Sequence, residues 1–123
     1  MGVLGARYDR RRGVYVRLTD AELNGPVSVD VIHGGRFPLY RCSVLREVGV
    51  FDPELFFGFE EGEFGLRLRG RRWFLYLDGR LALRLRAELG QLDAKGRPRT
   101  AMSKAGWRRY YAVRNSTILA ARH

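Results

Sequence analysis

Residues 49–69, GVFDPELFFGFEEGEFGLRLR, decide how this chain is read. From Phe51 to Phe59 the phenylalanines and Pro53 follow neither a helical nor a strand period, so this part is an aromatic loop. At about Glu60 the pattern changes. Glu60, Glu61 and Glu63 fall in a first turn, Arg67 and Arg69 in a last turn, and Gly70 follows. Acid at the start, base at the end and glycine just beyond are what a helix over about Glu60 to Arg69 requires. Phe64 and Leu68 share one of its faces.

Upstream, Ser43 is placed to cap a short helix with Val44, Leu45 and Val48 on one side, and Gly49 to end it. Val27, Val29 and Val31 form a strand pattern that runs to His33-Gly34-Gly35. Before it, Asn24-Gly25-Pro26 supplies turn chemistry, and Val14 to Leu18 is strand-like, following the basic patch Arg10-Arg11-Arg12. Downstream, Trp73 to Leu77 and Arg80 to Arg86 both read as strands, and Asp78-Gly79 between them predicts a two-residue β-hairpin. Ala87 to Thr100 has no period and is expected to be a loop. Ser103 would then open a C-terminal helix with Trp107, Tyr110, Tyr111 and Ile118 on one stripe. The sum is an α/β or α+β chain rather than a helical bundle.

At 123 residues and 46% hydrophobic, the chain can bury one modest core, so residues 1–123 are expected to be a single domain or part of a larger one. Cys42 is the only cysteine, which excludes an internal disulfide and a cysteine metal cluster and fits a reducing compartment. The N-terminal residues lack the order of a secretory signal, and no apolar run is long enough to cross a bilayer, so a soluble, cytoplasmic chain is expected. The net charge of +10 comes almost wholly from arginine, with Lys95 and Lys104 the only lysines. Such a field attracts phosphates, nucleic acid or an anionic membrane surface. The preference for arginine is also what a GC-rich coding sequence produces.

Read in order, Gly34 to Arg69 offers a glycine-ended strand, Leu39-Tyr40-Arg41, a short helix, Gly49-Val50-Phe51-Asp52-Pro53, the aromatic loop, and Glu60-Glu61-Gly62-Glu63 leading to Gly65-Leu66-Arg67-Leu68-Arg69. With the tail Arg109-Tyr110-Tyr111-Ala112-Val113-Arg114-Asn115, this order resembles the second half of inverting family 2 glycosyltransferases, particularly rhamnosyltransferase-like members. The resemblance implies the C-terminal, acceptor-side portion of a GT-A-type mixed sheet with flanking helices and a β-hairpin. The N-terminal nucleotide-binding half would be missing, because no Asp-x-Asp metal motif occurs in this chain. A fragment, inactive alone, is therefore expected. No metal ligand is assigned here, although Mg2+ or Mn2+ is expected for the complete enzyme. Its partners would be a nucleotide-sugar and a glycan or lipid-linked acceptor, with a missing half, a second copy of the chain or peripheral contact with the inner face of the membrane as further partners.

The implied reaction is attack of an acceptor hydroxyl on the anomeric carbon of a sugar nucleotide. It needs a carboxylate as general base and cationic groups for the departing diphosphate. By resemblance Glu61 stands where the family's catalytic aspartate usually stands and would be the general base, with Glu63 on the second acidic position two residues on. Gly34, Gly35, Arg41, Glu60, Glu63 and Arg67 complete the implied acceptor and sugar site. A different reading of the three glutamates is that they complement the helix dipole. Phe56, Phe57 and Phe59 are read either as a sugar-stacking platform or as core. The alternatives from other classes are a basic nucleic-acid-binding module, motivated by charge and by aromatics near arginines, and a non-catalytic partner of a full-length transferase.

Overall fold

A computed structural model describes residues 5–32, 38–90 and 106–123. Its elements are β1 (Ala6–Asp9), β2 (Val14–Arg17), a 3-10 turn (Asp20–Glu22), β3 (Pro26–Val29), α1 (Cys42–Val48), α2 (Glu60–Gly70), β4 (Leu75–Asp78), α3 (Gly79–Glu88) and α4 (Gly106–Arg122). The architecture is mixed α/β. The described strands form two antiparallel pairs, β1 with β2 and β3 with β4.

The first pair is a hairpin running from Ala6↔Arg17 to Asp9↔Val14. Its turn is closed by Asp9, whose carbonyl accepts from Gly13 N at 2.8 Å and whose Oδ1 accepts from Arg11 N and Arg12 N at 3.0 and 3.2 Å. Gly13 takes φ 65°, a conformation open to glycine. The basic patch Arg10-Arg11-Arg12 therefore belongs to a tight turn.

β3 pairs with β4 from Pro26↔Asp78 to Val29↔Leu75. The expected strand over residues 27–32 leaves this ladder at Val29 and changes partner. Ala6 donates to Val31 O at 3.2 Å, and Asp30 N donates to Ala6 O at 2.8 Å, linking the two pairs.

The hairpin expected over residues 73–86 is not formed. β4 ends at Asp78, and Gly79 begins a helix. Asp78 acts as its N-cap, with Oδ1 accepting from Leu81 N at 3.1 Å. Aspartate before glycine suits a tight turn and a helix start equally, and here the cap wins. A Cβ on Gly79 would overlap the Leu23 backbone, so glycine is needed for close packing at this junction. The expected loop from Ala87 is helical through Glu88, and residues 91–100 of it lie outside the described residues.

α1 starts two residues earlier than expected, with Arg41 at the cap position and Ser43 inside the helix. Gly49 ends it at φ 85° as anticipated, its N–H reaching Leu45 O at 3.0 Å. In α4 the expected aromatic stripe is not the buried one. Asn115 and Leu119 are buried, while Trp107 and Tyr110 are exposed. Ser103 lies outside the described residues.

α2 is the hub. Its Leu66 packs with Tyr8 and Leu119, and its Phe64 and Leu68 pack with Val44 of α1. Two glycines let neighbours come close: a Cβ on Gly62 would run into the Tyr15 ring, and one on Gly65 would overlap the Asp30 carbonyl oxygen. Gly65→Ala is therefore expected to lower unfolding stability by about 3 kcal/mol, because backbone must move to admit the methyl. Gly70→Ala, with open space around it, should instead raise stability by about 0.5 kcal/mol. Urea unfolding of both variants measures the contrast.

Candidate functional site

The aromatic loop is held in shape by its own acids and by α4. Asp52 Oδ1 accepts from Glu54 N at 2.8 Å, and Asp52 O accepts from Leu55 N at 3.1 Å, turning the chain so that Leu55 is buried. Arg122 bridges the two acids, Nη1 to Asp52 at 2.6 Å and Nη2 to Glu54 at 2.6 Å. Its hydrogen bond holds the Asp52 carboxyl below the ordinary carboxylate range. Arg114 Nη1 donates to Glu54 O at 3.0 Å and to Asn115 Oδ1 at 2.9 Å.

Asn115 is fully buried, and its Nδ2 donates to Phe57 O at 3.1 Å and Gly58 O at 2.9 Å. Those carbonyls precede two left-handed residues, Gly58 at φ 80° and Phe59 at φ 72°. Left-handed backbone is costly for phenylalanine and persists where the surroundings over-determine it. Asn115 supplies that determination. Phe59 then packs with Tyr15 and the Tyr8, Leu66 and Leu119 cluster, and its carbonyl accepts from Glu63 N at 2.7 Å as α2 begins.

The three glutamates launched from this turn differ in environment. Glu63 is buried and accepts a two-pronged contact from Arg67, Nε to Oε1 at 3.0 Å and Nη2 to Oε2 at 2.9 Å. Arg67 also donates to Val48 O at 2.6 Å and Val50 O at 2.7 Å, closing the C-terminal end of α1. Glu63 and Arg67 thus brace α2 against α1. His123 Nε2 lies 3.9 Å from Glu63, and burial pushes the His123 pKa down.

Glu60 and Glu61 are half-buried. Glu60 Oε2 is buried without a hydrogen-bond partner. Burial raises the Glu60 pKa, the Glu61 charge adds to the rise, and the Glu60 and Gly58 backbone amides oppose it. Glu61 neighbours Tyr40, whose pKa is raised first by burial and then by the Glu61 charge. The Tyr40 ring is wedged edge-on against Phe64 at 5.2 Å and Phe51 at 6.3 Å. Tyr40 also lines an apolar groove of about 610 Å3 between Pro38–Tyr40, β4 and α3, whose walls include Phe74, Tyr76 and Leu85. None of the glutamates lines the groove, and Tyr40 is the residue that connects it to them.

Of the remaining candidates, Arg41 has an exposed side chain and contributes its carbonyl to the start of α1. Gly34 and Gly35 lie outside the described residues. Phe56 is 71% exposed, whereas Phe59 is packed, so the three phenylalanines do not act as one platform. Among the described residues, no group of three or more His, Cys, Asp or Glu side chains is placed to hold a metal ion. Beyond the arginine-asparagine pair in the tail, no local pattern signals the Asn115 clamp.

No protein-family model, curated protein or solved structure matches this chain.

Asn115→Ala would strand the Phe57 and Gly58 carbonyls, and it is expected to lower unfolding stability by about 3 kcal/mol. Accelerated hydrogen exchange at Glu63 N, whose bond closes the first turn of α2, would accompany it. Glu60 has a folded pKa above its unfolded one, so its ionisation opposes folding as pH rises from about 4.3 through the folded value. Glu60→Gln should therefore raise the melting temperature at pH 7 and leave it unchanged at pH 3.5, a comparison that thermal unfolding at the two pH values makes directly.

Proposed function

We propose that this chain is the acceptor-side part of an inverting, family 2-type glycosyltransferase of GT-A architecture, with Glu61 as the base for the acceptor hydroxyl. The observation that carries the reading is the Asn115 clamp. Two segments far apart in the sequence, both belonging to the motif order of that family, are bonded to one another at the turn that launches Glu60 and Glu61. A left-handed turn over-determined by a buried amide is how a carboxylate is fixed for chemistry.

In this reading Glu63, engaged by Arg67, braces the helix, and Glu60 and Glu61 face the reaction. Glu61 accepts the proton of the attacking hydroxyl, and Tyr40 beside it orients the acceptor. Glu60, partly desolvated, adds a second carboxyl group to the same turn. The charge of the leaving diphosphate is met outside this chain's described residues, by the half that binds the nucleotide-sugar. The chain acts at the cytoplasmic side, on a glycan or lipid-linked acceptor, in a complete enzyme expected to use Mg2+ or Mn2+.

Amide-resolved NMR titration of the purified chain tests this. Neutral oligosaccharides at millimolar concentration are expected to shift Tyr40, Glu60 and Glu61, and Glu61→Gln is expected to weaken that binding by about tenfold, the loss of a charged hydrogen bond. UDP- and dTDP-sugars with Mn2+ or Mg2+ are expected to leave these amides unmoved. Absence of saccharide shifts at all three residues would sink the acceptor-site reading, and tight, metal-dependent nucleotide-sugar binding would overturn the incomplete half-enzyme.

A further inference from the structure

The first two turns of α4 are built unlike the rest of the chain. Trp107, Tyr110 and Tyr111 stand at i, i+3 and i+4, which puts them on one helix face. Trp107 is 49% and Tyr110 63% exposed, and Val113 beyond them is 68% exposed. The stripe continues onto the aromatic loop: Phe57 meets Trp107 at 4.9 Å, and Phe56 meets Tyr111 at 5.4 Å. Arg108 lies over both the Phe57 and Trp107 rings, at 5.4 and 5.1 Å, and Arg109 beside it is exposed. α4 contains no acidic residue, and the nearby acid Glu54 is already paired with Arg114 and Arg122.

We infer that this aromatic and arginine surface docks the protein on an anionic membrane surface, with α4 lying in the plane of the headgroups. The inference is independent of the transferase reading. Indole and phenol rings have an apolar body and a polar tip, which suits the boundary between headgroups and acyl chains. Unpaired arginines at the same place complement lipid phosphates, and the net charge of +10 brings the protein to such a surface. Single-stranded nucleic acid shares the phosphate chemistry but requires open ring faces for base stacking. Here the rings meet edge-on or tilted, at 66° for Phe57–Trp107 and 79° for Tyr110–Tyr111, and Arg108 covers two of them. The geometry therefore favours lipid.

The test is vesicle co-sedimentation and tryptophan fluorescence of the whole chain in a Trp73→Phe background, where Trp107 is the only fluorophore of its kind. Vesicles of phosphatidylcholine with one quarter phosphatidylglycerol are expected to bind the chain and shift Trp107 emission to the blue, and pure phosphatidylcholine to bind it far more weakly. Arg108→Gln with Arg109→Gln should weaken binding about 25-fold, taking about 1 kcal/mol per basic residue at an anionic surface. Arg46→Gln with Arg84→Gln, the same charge change on α1 and α3, should weaken it less than threefold. Trp107→Ser with Tyr110→Ser should weaken binding while preserving its salt dependence; all these side chains are exposed, and circular dichroism checks that each variant folds. Equal losses from both arginine pairs would overturn the surface in favour of general charge. Tighter binding of a thymidine 20-mer than of anionic vesicles, with Trp107 quenched, would overturn it in favour of nucleic acid.

Discussion

Everything in this fold is registered by the close approach of α2 to Asp30. With no Cβ on Gly65, the helix backbone rests against the Asp30 carbonyl, and on the other side of the same residue the buried carboxylate accepts from Tyr8 N at 2.7 Å and from Arg69 Nη1 at 2.8 and 2.9 Å. A buried carboxylate is costly unless its acceptors are filled. One residue therefore ties β1, the end of β3 and both ends of the contact with α2 into a single arrangement. Once that is set, Leu66 falls beneath Tyr8, Phe64 and Leu68 fall on α1, and the start of α2 is carried to the aromatic loop. The loop must then reach α2 through left-handed backbone, and the Asn115 amide holds it there.

The parts of the fold legible in the sequence are those where local chemistry and tertiary contact agree. α2 is bounded by charge and glycine, α1 ends at Gly49, and β2 runs where Val14 to Leu18 predicts it. The stretch from Trp73 to Arg86 was illegible because its local signals are degenerate. Leu81, Leu83 and Leu85 alternate, yet Ala82 and Arg86, four residues apart, are the buried pair of a helix face. Arg86 is buried because Asp20 of the 3-10 turn receives its Nη2 at 2.7 Å, a contact across 66 residues that no window of sequence contains. In α4 the stripe was legible but the buried face was not: Trp107 and Tyr110 are exposed, while the helix buries a polar asparagine.

For the candidate glutamates, their place in the first turn of α2 was readable and their separate environments were not. Positions i and i+2 on a helix diverge, which separates Glu61 from Glu63 on geometry alone. Which of them braces the structure depends on Arg67 being occupied by the carbonyls of Val48 and Val50, on either side of the Gly49 cap, and that requires knowing where α1 ends in space. Glu60 differs from Glu61 through burial at the loop, a tertiary effect. Tyr40 gained its place from packing against Phe51 and Phe64, residues whose nearness to it follows from the chain reversal at α1.

The dominance of arginine has a structural use that coding bias alone would not supply. Arg67 reaches a carboxylate and two carbonyls at once, Arg114 a carbonyl and an amide oxygen, and Arg122 two acids through separate nitrogens. A lysine ammonium is a compact point charge on a flexible stem and cannot span such acceptor pairs with a rigid fork. These contacts consume acids as they form: Asp20, Glu22, Asp30, Asp52, Glu54, Glu63 and Glu88 all face an arginine. The net positive charge is thus a residue of internal pairing rather than an even coat. Among the described residues, Arg108 and Arg109 in the opening turn of α4 stand on a helix without acids, and there their charge is available to a partner outside the chain.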